Sequence, residues 1–176
     1  DRARLREWRE TWIEAIGEAR AAGHGDAIDA DPVLFDPDAA LPDTAAPPGL
    51  YDCRTIKIGR QWPEGLAMVA YPRFSCRIEA QDGQLRLVKL TGSQRPSGQL
   101  FPDAGRHLVF RGTLQRGDER QSRAYGMDRE RDMAGRRERI GEARWRLVLP
   151  APHFESKLDL IELVPAASNE EGDISG

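Results

Sequence analysis

Polar and apolar residues alternate strictly through much of this chain. In residues 73–80, Phe74, Cys76, Ile78 and Ala80 interleave with Arg73, Ser75, Arg77 and Glu79, a period of two that predicts a strand with one wet face. Gln81-Asp82-Gly83 follows as a Gly-containing turn, and Leu85 to Leu90 completes a hairpin. The pattern returns at 107–115, where Leu108, Phe110, Gly112 and Leu114 oppose Val109, Arg111, Thr113 and Gln115. It returns again where Trp145, Leu147 and Leu149 alternate with Arg144, Arg146 and Val148, until Pro150 ends the run. Lys157 to Val164 predicts a last strand closed by Pro165, and weaker strand signals lie at 51–58, 98–101, 122–127 and 134–140. About eight or nine short strands with turns between them predict an antiparallel sandwich or an up-and-down barrel. A lipocalin-like barrel of about eight strands is preferred, because closure removes exposed edges; the β-sandwich is the alternative.

A different period governs the start. Leu5, Trp8, Trp12, Ile16 and Ala19 recur at steps of three and four, predicting one amphipathic helix over 4–22, stopped by Gly23. Its two tryptophans on one stripe predict docking against the rest of the chain, where the helix plugs or braces one end of the barrel. Over 24–49, Asp31-Pro32, Asp36-Pro37, Leu41-Pro42 and Pro47-Pro48-Gly49 break regular structure, while Ile28, Val33, Leu34, Phe35 and Leu41 supply apolar anchors. This reads as a strap packed over the domain, since free linkers are poorer in large apolar residues. The organisation is thus 1–49 helix and Pro-rich strap, 50–166 antiparallel β domain, and 167–176 a disordered tail.

Composition narrows the class. With 176 residues, 39% apolar and 31% charged, the chain can bury one core and has the balance of a globular protein. No apolar run is long enough to span a bilayer as a helix. A net charge of −3 gives no overall attraction for nucleic acid or anionic lipid. Only three of the 26 basic residues are lysines, Lys57, Lys89 and Lys157. Such an arginine surplus can signal anion recognition, but a GC-rich genome is the cheaper explanation. Between Arg116 and Arg146 ten arginines face seven acids; without interleaved exposed aromatics these are better read as solvated strand faces than as a nucleic-acid platform. The chain opens at Asp1 without Met, which points to removal of an upstream segment, either a signal peptide or part of an engineered chain.

Cys53 and Cys76 lie on two predicted successive strands, close enough for a disulfide that contributes roughly 3 kcal/mol in the chain-entropy model. The alternative is two buried free thiols. The bridge is favoured, and with it an oxidising compartment: periplasmic or secreted. No metal site or cofactor is expected, because two thiols without a nearby His, Asp or Glu cluster do not complete four ligands. Asp128, Glu130 and Asp132 alternate like calcium-loop acids, yet Arg129 and Arg131 interrupt them and the EF-hand glycine is out of register; a solvated hairpin tip is the better reading.

The polar stretch from Thr91 to Gln99 is the main candidate site. Its Ser93, Gln94, Arg95 and Ser97 could bind a ligand, since loops commonly carry binding residues and Gly-rich backbone can hold an anion. It does not match a phosphate loop or a nucleophile elbow, and an ordinary hairpin loop is the bland alternative. The histidines His24, His107 and His153 each stand alone in sequence.

Several motifs together resemble one family. They are Leu5-Arg6-Glu7-Trp8-Arg9, Tyr51-Asp52-Cys53-Arg54, Phe74-Ser75-Cys76-Arg77, Thr91-Gly92-Ser93-Gln94-Arg95-Pro96, Arg139-Ile140-Gly141, Arg144 to Pro150 and Phe154 to Asp159. The resemblance, covering about Leu5 to Pro165, is to the bacterial family labelled domain of unknown function 4893. It implies export behind a secretory signal and a paired Cys53 and Cys76, and it implies no activity. The resulting expectation is a non-catalytic periplasmic binding or interaction domain with a small-molecule or protein partner. Two alternatives stand beside it: a hydrolase or transferase with His107 or His153 as base and Ser93 or Ser97 as nucleophile, and an inhibitor or scaffold for a secreted partner.

Overall fold

The computed structural model describes residues 1–167, positions 46, 104, 118 and 122 excepted; the tail expected at 167–176 lies from 168 onward outside the described residues. Eight strands make up most of it: β1 (Gly49–Arg60), β2 (Met68–Gln81), β3 (Gln84–Lys89), β4 (Gln94–Pro102), β5 (His107–Arg116), β6 (Asp132–Gly141), β7 (Arg144–Pro150) and β8 (Ser156–Pro165). Each pairs antiparallel with the next, and β8 returns to β1, so the sheet closes as a barrel. Period two sends alternate side chains inward, and Cys53, Ile78, Leu87, Leu100, Phe110, Leu147 and Leu163 meet there in one buried cluster.

That interior is packed, not a deep cup. Gly98 and Gly112 face each other across β4 and β5 with the Phe110 ring against both. A Cβ on Gly98 would lie 2.5 Å from the Arg111 carbonyl oxygen and 2.7 Å from that ring. Only glycine lets the two backbones and the ring share this space. The bridge Cys53–Cys76 joins β1 to β2 with Cα atoms 5.9 Å apart.

The helical expectation needs two corrections. First, the segment is broken: α1 (Arg2–Arg6), α2 (Trp8–Ala19), a wide turn across Gly23 at φ 95°, then α3 (Gly25–Asp29) and α4 (Pro32–Phe35). Gly23 kinks the chain as its positive φ requires, but helical turns resume beyond it, within what the sequence reads as strap. Second, α2 neither plugs nor braces an end. Trp8, Trp12, Ala15 and Ala19 pack on the outer wall, against Ile56, Ile58, Val148, Leu158 and Leu160. Strands β1, β7 and β8 therefore bury both faces. Gly59 permits the close approach, since a Cβ there would sit 3.1 Å from Ala15.

The strap is fastened by arginines. Arg146, fully buried, ion-pairs with the equally buried Glu138 at 2.8 Å and donates to the Leu34 and Asp36 carbonyls at 2.9 and 2.7 Å. Arg144 bridges Asp31 and Glu162, and Arg137 donates to the Ala45 carbonyl at 2.8 Å. Part of the arginine surplus thus serves carbonyl recognition, a task for the rigid guanidinium fork. Two further sequence readings give way: residues 123–127 form no strand, and β4 begins at Gln94, so most of the supposed 91–99 loop is sheet.

Candidate functional site

Because successive strands alternate in direction, connections 61–67, 90–93, 117–131 and 151–155 gather at one end of the barrel. Inward-facing rows change chemistry as they reach it. Cys53 gives way to Thr55 and Lys57 on β1, Leu85 and Leu87 to Lys89 on β3, and Leu163 and Ile161 to Asp159 on β8. The change opens a cavity of about 90 Å³. Its apolar walls are Phe74, Pro96, Leu114, Met133 and Ile161, and Lys57, Lys89, Gln94, Asp132 and Asp159 supply the polar ones.

Two ammonium groups converge on Gln94. The Lys57 Nζ donates to Gln94 Oε1 at 2.9 Å, and the Lys89 Nζ to the Gln94 carbonyl at 2.9 Å. Lys57 also pairs with Glu155 at 2.7 Å. Lys89, 5% exposed, has the Phe74 ring 4.3 Å away, and among the described residues no carboxylate within ion-pair reach. Burial, helped by the neighbouring Lys57 charge, brings its pKa from 10.5 down to about 8. Burial drives the Asp159 carboxyl the other way, above the usual carboxylate range, against the pull of Lys57; its Oδ1 accepts from the Ser156 hydroxyl. The connection 151–155 carries Pro152, His153 and Phe154 into the wall and Glu155 onto Lys57. It is bounded by Ala151 at φ 47° and Glu155 at φ 72°, left-handed backbone of the kind that persists only where surroundings impose it.

Of the residues singled out from sequence, Ser93 and Gln94 line the cavity. Arg95 braces the rim instead, donating to the Gly92, Gly117 and Glu119 carbonyls at 2.8, 2.6 and 3.0 Å. Ser97 lies on the outer side of β4, where its hydroxyl accepts from Arg86 at 2.7 Å beside a shallow hollow shared with Glu79 and Arg120. His153 and Ser93 share the cavity wall, but no hydrogen bond joins them among the described residues. Arg4 donates to His153 Nε2, and burial, then the Arg4 charge, lowers the His153 pKa. His107 is elsewhere, beside Asp103 and Arg136, its pKa also lowered by burial and then by Arg136. The expected solvated tip is partly engaged, with Glu130 and Asp132 on the cavity wall. No group of three metal-ligating side chains occurs among the described residues, and no described helix is long and apolar enough to cross a membrane.

Lys57, Lys89 and Asp159 escaped the sequence reading, although a signal was present. Lys89 takes the third place of the alternation Leu85, Leu87, Lys89, where phase demands an inward side chain.

Fold and site together define a small closed antiparallel β-barrel with a pocket at one mouth that holds two buried lysines. The chain belongs to the family described as Domain of unknown function (DUF4893), whose model matches residues 1–163. No curated protein and no solved structure matches it.

Proposed function

We propose that the protein is a non-catalytic, exported binding domain that holds a small ligand at the mouth of its barrel. The observation that carries this reading is the convergence of Lys57, Lys89 and Gln94 on a cavity with apolar walls. Few polar groups on an apolar background is the composition of small-molecule sites. At about 90 Å³ the space is well below the roughly 300–1,000 Å³ of drug-sized sites, so the occupant, or its buried part, has few atoms. Export fits the Cys53–Cys76 bridge, which forms and persists in oxidising compartments.

Native mass spectrometry of protein isolated from the cell envelope tests both parts. The expected result is a small-molecule adduct on an oxidised chain, lost in Ser93→Trp, whose indole would plug the mouth. An apo mass alone counts against the ligand, a cytoplasmic reduced chain counts against export, and a bound protein mass would favour the inhibitor or scaffold alternative. The hydrolase alternative draws on Ser93 and His153 sharing one wall, and requires His153 to leave Arg4. A fluorophosphonate probe that labelled Ser93 would establish it; we expect no labelling.

A further inference from the structure

We propose that the ligand is a monocarboxylate with a small apolar body, its carboxylate seated between Lys57 and Lys89 against Gln94. This rests on the small-ligand reading above and specifies its chemistry. The argument begins with Lys89. An ammonium carries three donors, and the structure shows one hydrogen bond from this one, to the Gln94 carbonyl. Buried charges are ordinarily paired, yet this side chain, 5% exposed, touches a ring face and one carbonyl and has no carboxylate within ion-pair reach among the described residues, while it borders open space. A ligand anion supplies the missing partner. Lys57, in contrast, already has Glu155, whose side chain is 55% exposed on the 151–155 connection and can swing aside.

The rest of the wall sets the charge and shape of the guest. Asp132 and Glu130 also border the cavity, so a second negative charge on the guest, as on phosphate, doubles the repulsion it meets there. Pro96, Leu114, Met133 and Ile161 also line the cavity and favour a ring or short alkyl chain over a second polar group. A longer body would leave past Tyr71, which lines the cavity and is 37% exposed.

Protonation of Lys89 makes the affinity depend on pH. The charged groups facing it are Lys57 on β1, Asp159 on β8 and Arg95 on β4, with Glu155, Glu130, Arg131, Asp132 and His153 around the mouth. Affinity falls above pH about 8, by up to about tenfold per pH unit.

The test is an amide-resolved NMR titration of the full chain with benzoate, benzamide, butanoate and inorganic phosphate, at pH 7 and pH 9.5. Benzoate is expected to shift the amides of Lys57, Lys89, Ser93 and Asp159, and to bind about ten- to hundredfold tighter than benzamide, the range of a charge-assisted hydrogen bond. Binding should weaken about thirtyfold between the two pH values, and Lys89→Met should lose most of the preference for benzoate over benzamide at pH 7 and most of its dependence on pH. Equal affinity for benzoate and benzamide at these amides overturns the carboxylate assignment but leaves the small-ligand reading standing. Preference for phosphate overturns the monocarboxylate, and an unchanged preference in Lys89→Met overturns the seat. No shift at these amides with any probe overturns both readings.

Discussion

Lys89 occupies a position where strand phase calls for an apolar side chain, and the consequence is measurable. Its pKa of about 8 in the folded protein lies below the 10.5 of a free lysine. Below pH 8 both folded and unfolded chains hold the proton, so the full penalty of burying the charge is present. Between about 8 and 10.5 the unfolded chain keeps the proton and the folded chain sheds it, so native stability rises with pH. Relative to Lys89→Met, the wild type is expected to gain about 3 kcal/mol between pH 7 and pH 10.5, read as the difference in urea-unfolding free energies. A pH-independent difference would mean the ammonium is solvated after all. Sequence alone does not reveal this shift, because it depends on burial and on the Lys57 charge, which reaches Lys89 from another strand.

At the scale of elements, the strap shows what the arginines are for. Residues 24–49 bury the apolar anchors Ile28, Leu34 and Phe35, but backbone carbonyls in such an irregular segment also need partners. Arg146 on β7 provides them while neutralising Glu138 on β6. Replacing it by Met leaves a buried carboxylate, with Arg136 as its remaining cation, and unsatisfied carbonyls. Arg146→Met should cost about 3–5 kcal/mol and open the strap to limited proteolysis between α4 and β1. A variant of unchanged protease resistance would show that the apolar anchors suffice. The helix tells a similar story. The stripe of Trp8, Trp12 and Ala19 is visible in sequence, but which surface receives it is not. Ile56, Ile58 and Val148 read simply as strand residues until β1, β7 and β8 are adjacent and expose their backs together.

At the scale of the whole molecule, closure determines both stability and site. Joining β8 to β1 brings Lys57 opposite Asp159 and collects four connections around one mouth. The Cys53–Cys76 bridge spans 23 positions and restricts the unfolded chain. The double variant Cys53→Ala, Cys76→Ala is expected to lose about 3 kcal/mol while keeping the barrel, seen as a lower denaturation midpoint with an unchanged far-UV spectrum. Loss of the folded spectrum would mean the bridge, not the packed interior, holds the barrel shut.

Local pattern was enough to locate the eight strands, their hairpin order, the amphipathic stripe and the neighbouring cysteines, because side-chain period and turn chemistry act over a few residues. It also added a strand that 123–127 does not form and missed the breaks in the helix. The candidate stretch was legible in part: Ser93 and Gln94 reach the cavity, while Arg95 and Ser97 are taken up by the carbonyls and by Arg86 around them. Only the tertiary structure decided that the sheet closes, that the helix lies along the outer wall and that two of the three lysines share one cavity. Those outcomes depend on which strand faces meet and how much water they exclude, and both are properties of contacts between residues far apart in the chain.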